Sequence, residues 1–213
     1  IIKIMIIDCS SRIEANWNWE TSTFISQSYK NNDEFQEFGL KWYGKGFTYI
    51  TTPKWLNINY KNFDDFDLNL FCGPAIIIEI DNQKINKDYI EKKLTEIKEK
   101  NIKICILSTN HSKKISNKNL DYWTKSPIIE NDVINVLLKF SIKHLVLDFS
   151  CESVISKRSD LKNDFINPNE EIKIKLLEND ILITENFVSN HSSNHTFYIG
   201  LPLFIPKGST SPT

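Results

Sequence analysis

The sequence predicts an α/β domain with an added β layer. Two observations carry that class. Between residues 75 and 185, apolar runs with strand character alternate with runs of helical spacing, the pattern of strand–helix units on a largely parallel sheet. Before residue 60, β-branched and aromatic segments dominate without a helical period, which places extra strands in the N-terminal third. A length of 213 residues suits one domain spanning residues 1–213 and is enough to bury a sizeable core.

Taken in order, Ile2–Ile7 reads as a buried strand, and Thr21–Tyr29 and Phe47–Thr52 as strands rich in β-branched and aromatic residues. Ala75–Ile80 is a continuous apolar run after Gly73-Pro74, expected of a central strand buried on both faces. Tyr89, Ile90, Leu94 and Ile97 follow helical spacing, with Asn86 placed to cap the helix. Ile102–Leu107 is again a strand. Val133, Ile134, Leu137, Leu138 and Phe140 mark a second helix with Asn131 near its start, and Leu145–Asp148 follows as a strand. A third helix covers Glu170–Glu178, strands Ile181–Glu185 and Thr196–Leu203 come last, and residues 206–213 form an irregular tail.

Charge excludes some functions. Lys+Arg number 26 and Asp+Glu 27, so no basic excess is available for a nucleic-acid partner. The apolar run at Ile1–Ile7 is too short for a membrane span or an export signal, so no membrane partner and a cytoplasmic location are expected. Cys9, Cys72, Cys105 and Cys151 lack metal-type spacing and read as reduced structural thiols. His191 and His195, in a Ser- and Asn-rich stretch, read as a solvated loop. Asp148, ending a central strand, reads as a structural hydrogen-bonding group. No glycine-rich phosphate loop and no G-x-S-x-G nucleophile motif is present.

A set of short motifs, in order along nearly the whole chain, resembles the cyclase / kynurenine formamidase-like family of metal-dependent hydrolases. Asp8-Cys9-Ser10 with Ile13 is similar to its opening D-L-S-x-x-I, and Trp19 falls near its N-terminal Trp. Residues Phe71 to Ile78 resemble its L-x-G-P-A-V-V-I strand, and Ile106-Leu107-Ser108-Thr109 its L-I-R-T strand end. Val146 to Ser150 resembles G-I-D-x-x-S. Leu176-Leu177 with Ile183-Thr184-Glu185-Asn186 resembles L-L-x(5)-I-x-E-N, and Leu201-Pro202-Leu203 and Ser211-Pro212 resemble its terminal P-L and S-P.

The resemblance implies a swivelling β/β/α fold, a mixed sheet with an added β layer, and a homodimer or higher homo-oligomer. It also implies a metal site built from an H-x-G-T-H-x-D-x-P-x-H segment and a later His and Glu twelve residues apart, where metal-activated water attacks an amide or ester. With Pro53 as anchor, Thr48 matches the family's Thr, but the ligand positions hold Lys45, Tyr49, Thr51 and Trp55. The later His falls at Lys173, and Glu185 alone is retained. Ile13–Ile80 contains no His in any register. Ammonium and indole groups cannot replace imidazole and carboxylate ligands, so no metal and no other cofactor is expected.

Two readings follow. Lys45, Tyr49, Thr51, Lys173 and Glu185 would converge either as a metal-free acid–base site for ring closure, elimination or isomerisation of a small carbonyl substrate, or as ion pairs filling a vacated cavity in a protein that binds a ligand or partner. An amide or ester hydrolase with a remodelled site is a third reading. Trp19, Trp55 and Phe47 are the expected aromatic wall of a substrate pocket. The catalytic reading requires an open pocket at Tyr49, Lys173 and Glu185; packed side chains there count against it.

Overall fold

The computed structural model describes residues 6–13, 21–41, 43–97, 101–153, 165–188, 195–203, 205 and 207–213, with backbone only for Thr23 and His195. In chain order the strands and α-helices are β1 (Ser22–Gln27), β2 (Glu37–Lys41), β3 (Tyr49–Thr51), β4 (Cys72–Glu79), β5 (Lys84–Ile85), α1 (Lys87–Thr95), β6 (Ile104–Ser108), α2 (His111–Lys114), α3 (Leu120–Thr124), β7 (Ile128–Ile129), α4 (Val133–Lys139), β8 (His144–Leu147), α5 (Asn169–Glu178), β9 (Leu182–Glu185), β10 (His195–Ile199) and β11 (Thr210–Pro212).

Among the described residues the main sheet has seven strands in the order β10-β4-β6-β8-β9-β3-β11. Its centre, β4, β6, β8 and β9, is parallel, whereas β10, β3 and β11 are antiparallel to their neighbours. The central strands read as unbroken apolar runs because both faces are covered, and the two-residue side-chain period divides them. Ile76 and Ile78 of β4, Cys105 and Leu107 of β6, and Leu145 and Leu147 of β8 share a core with α1, α4 and α5. Their alternates Ala75, Ile77, Ile104, Ile106 and Val146 pack with Phe187 and Tyr198 on the opposite face.

Local chemistry sets the helices. Asn86 Oδ1 accepts from the Tyr89 N–H at 2.9 Å, the expected cap, and α1 then buries Ile90 and Leu94. In α5 the buried face consists of Asn169, Ile172, Lys173, Leu176 and Leu177, spaced three and four apart, so a lysine sits on the stripe that faces the sheet. Strands β1 and β2 form a separate antiparallel ribbon, in which the Phe24 ring lies over Gly39 of the facing strand.

Several expectations need correction. The C-terminal segment is not irregular throughout: Thr210–Pro212 pairs with β3 and forms one edge of the main sheet. The final strand ends at Ile199, short of the expected Leu203, and begins at His195, so that histidine belongs to a strand and not to a loop. His191 lies outside the described residues, as do residues 2–5 of the expected first strand; Ile6 and Ile7 have no regular structure. No helix among the described residues is long and apolar enough to cross a membrane.

Candidate functional site

At the carboxyl end of β9 the side-chain alternation that sends Ile183 into the helix-covered core also sends Glu185 there. Tyr49 is paired directly across from Glu185 in the β3–β9 ladder, so the phenol and the carboxylate start as cross-strand neighbours. Lys173 descends on them from the buried face of α5. Glu152 enters from the segment after β8, its backbone N–H held by Ser150 Oγ at 3.1 Å. Lys45, just before β3, closes the group.

The hydrogen bonds make one network. Tyr49 donates its hydroxyl proton to Glu185 Oε2 at 2.7 Å, and Glu185 Oε1 accepts from the Cys151 N–H, also at 2.7 Å. Lys173 Nζ donates to Glu152, to Glu185 and, at 3.3 Å, to the Tyr49 oxygen. An ammonium has three N–H donors, and all three are taken. Lys45 Nζ meets both oxygens of Glu152 at 2.9 Å. Two ammonium groups thus face two carboxylates. The indole of Trp55 lies beneath both cations, 4.3 Å from Lys45 Nζ and 4.9 Å from Lys173 Nζ.

Burial and pairing set the protonation states. Burial alone would neutralise Lys173, but Glu152 and Glu185 outweigh it and raise its pKa above the ordinary value. Burial likewise pushes Glu152 up, yet Lys173 and Lys45 prevail and hold its pKa at about 2. Tyr49 is raised well above a free phenol by burial and by the two carboxylates. Lys45 is lowered, first by burial and then by Lys173, with Glu152 opposing. Lys173, Glu152 and Tyr49 therefore keep fixed protonation states around neutral pH.

The structure brings Lys45, Tyr49, Lys173 and Glu185 together with Glu152 in one hydrogen-bonded cluster. Thr51 lies two residues along β3, fully buried, its Oγ1 without a hydrogen-bond partner among the described residues. The open pocket required by the catalytic reading is not found: Tyr49, Lys173 and Glu185 are all 0% exposed. Phe47 is buried and offers no open aromatic wall, Trp55 is half-buried under the two ammonium groups, and Trp19 lies outside the described residues. Glu152 was missed from sequence, although a signal existed: two buried lysines beside one carboxylate require a second acid. Asp148 has the structural role anticipated, accepting from Thr109 Oγ1 at 2.7 Å and from the backbone N–H groups of Thr109 and His111.

A metal ion does not fit these residues. The Lys173 ammonium already occupies the space between the Glu152 and Glu185 carboxylates, and Lys45 adds a second positive charge. Tyr49 and Trp55 are poor replacements for imidazole. Among the described residues no group of three or more His, Cys, Asp or Glu side chains is arranged to hold a metal.

No family profile and no curated protein matches the sequence. Solved structures do match in shape. An isatin hydrolase bound to the product analogue thioisatinate superposes with a TM-score of 0.71 at 15% identity, over 97% of this chain and 88% of that one. Isatin hydrolase A from Ralstonia solanacearum gives 0.69 at 13% identity, covering 91% and 79%. A potential metal-dependent hydrolase with cyclase activity gives 0.64 at 15% identity, covering 97% and 94%. The chain therefore has the fold of the cyclase and isatin hydrolase structures, and within that fold it carries a lysine-centred ion-pair cluster.

Proposed function

We propose that this chain is a non-catalytic relative of the cyclase-fold hydrolases that acts by binding a small molecule or a partner subunit, its former metal centre converted into a structural lock. The supporting observation is the saturation of Lys173: all three N–H donors are used inside a closed, charge-balanced cluster, leaving none for a developing oxyanion. A binding role has a place elsewhere on the molecule. An apolar groove of about 450 Å³, lined by Phe63, Phe66, Phe71, Leu201 and Leu203, lies over Ile50 and Leu182, the opposite face of β3 and β9 from Tyr49 and Glu185.

Incubating the protein with isatin and with simple amides and esters, with and without added zinc, tests the reading. No turnover above background is expected. Turnover that disappears in Glu185→Gln would overturn it.

One observation favours a second reading, a metal-independent enzyme acting on a small carbonyl compound by ring closure, elimination or isomerisation. Lys45 keeps 17% side-chain exposure and a lowered pKa beside Glu152, as a base at the mouth of the cluster would. That reading requires turnover which Lys45→Met abolishes.

A homodimer or higher oligomer also belongs to the proposal. The β1–β2 ribbon exposes Phe24 (58%), Ile25 (62%) and Phe38 (68%), and a two-stranded ribbon is marginal in water without a surface to pack on. Light scattering after size exclusion is expected to give at least twice the 24.9 kDa chain mass; a monomer at micromolar concentration would remove this part.

A further inference from the structure

A cleft of about 250 Å³ beside the carboxyl edge of the main sheet belongs to neither the ion-pair cluster nor the apolar groove. Arg12 and Lys113 line it, with Ser11, Ser112, Ser116 and Asn117. Among the described residues no carboxylate lines it, and neither Arg12 nor Lys113 has an ion-pair partner. Elsewhere in the fold exposed lysines find acids, as Lys61 does with Asp180 and Lys125 with Asp121. Residues 111–118 carry Lys113, Lys114 and Lys118 without one acidic residue, a local positive excess in a chain of net charge −1. Ser112 Oγ, in the same lining, is buried and has no hydrogen-bond partner among the described residues.

The walls are fixed by the scaffold. Ser11 Oγ donates to the Asn186 carbonyl at 2.7 Å, and Tyr122, which also lines the cleft, donates its hydroxyl to Asn186 Oδ1 at 2.9 Å. Asn186 follows Glu185, so the cleft is anchored to the strand that carries the ion-pair cluster. We propose that this cleft binds a small oxyanion, a carboxylate or a phosphate group, held by the Arg12 guanidinium and the Lys113 ammonium with the Ser112 and Ser116 hydroxyls as secondary donors. The guanidinium fork matches two oxygens of one anion, and the ammonium supplies a point charge. The volume suits a headgroup or a compact acid and is below that of most drug-sized ligands. The proposal stands whether or not the neighbouring cluster is catalytic.

Thermal unfolding of the full chain in inorganic phosphate, in acetate and in chloride, at equal ionic strength, reads it out. Phosphate or acetate is expected to raise the melting temperature above chloride, and the more effective anion identifies the source. Titration calorimetry with that anion is expected to show about tenfold or greater weakening in Arg12→Gln and in Lys113→Gln, the size of one lost charge-assisted hydrogen bond. Both residues are exposed, so the variants should fold, and Lys92→Gln on α1 is a control expected to bind normally. Equal melting temperatures in all three salts, or unchanged binding in the Arg12→Gln/Lys113→Gln double variant, would overturn the proposal.

Discussion

Replacing Lys173 by Met keeps the volume and the helix propensity but removes the ammonium that joins Glu152, Glu185 and Tyr49. Two carboxylates are then left close together; Glu185 is fully buried and Glu152 is nearly so, with only Lys45 to offset them. Breaking a buried pair in this way costs about 3–5 kcal/mol, because the surviving charge is stranded away from water. For a chain of this size that lowers the melting temperature by roughly 6–20 °C. Urea denaturation at pH 7 measures it directly. Acid provides an internal control. Without Lys173, the largest influence holding its pKa down, Glu152 takes up a proton more readily than in the wild type, so the gap between the two proteins should narrow at pH 5. Adding Glu152→Gln and Glu185→Gln should recover much of the loss, since replacing every charged partner is far less costly than removing one. A loss below about 1 kcal/mol in Lys173→Met, with the fold intact, would mean that the ammonium is not what makes these carboxylates tolerable.

Glu152 has a folded pKa near 2 against an ordinary 4.5, so its contribution of about 3 kcal/mol is present above pH 4.5 and is lost as pH falls toward 2; flat stability across that window would contradict its pairing. Lys173→His puts an imidazole between two carboxylates, and calorimetry should detect Zn²⁺ binding to this variant but not to the wild type; equal behaviour would show that the ammonium does not stand at the metal position. Removing residues 209–213 deletes β11, and hydrogen exchange should then accelerate at Ile50, whose pairing partner in that strand is Ser211, while the central strands β6 and β8 stay protected.

The sequence revealed the fold where local chemistry and burial agree. The apolar run of β4 and the Asn86 cap of α1 are strong signals, because each has one economical structural explanation. α2 and α3 span four and five residues, too few for a helical period to register. β11 was missed because a three-residue Thr-Ser-Pro segment, ending in a strand-disfavouring proline, has too little strand signal to register; it is made a strand by pairing with the edge of β3. The charged cluster was legible for Lys45, Tyr49, Lys173 and Glu185 because motif spacing placed them. Glu152 lies in an irregular segment with no periodicity, and only charge balance pointed to an acid there. Closure of the site depended on side-chain packing, which spacing does not encode.

The pairing of Tyr49 with Glu185 spans 136 residues of chain, and the strand outside it, β11, comes last of all. On a ribosome, β4, β6 and β8 can associate as soon as they emerge, whereas Lys45 must wait for Glu152 and Tyr49 for α5 and β9. Until then neither side chain can be drawn out of water without an unpaired partner, which discourages β3 from docking early in a wrong register. The cluster thus makes completion of the C-terminal third a condition for closing the sheet, and its long-range contacts report that this part of folding has finished.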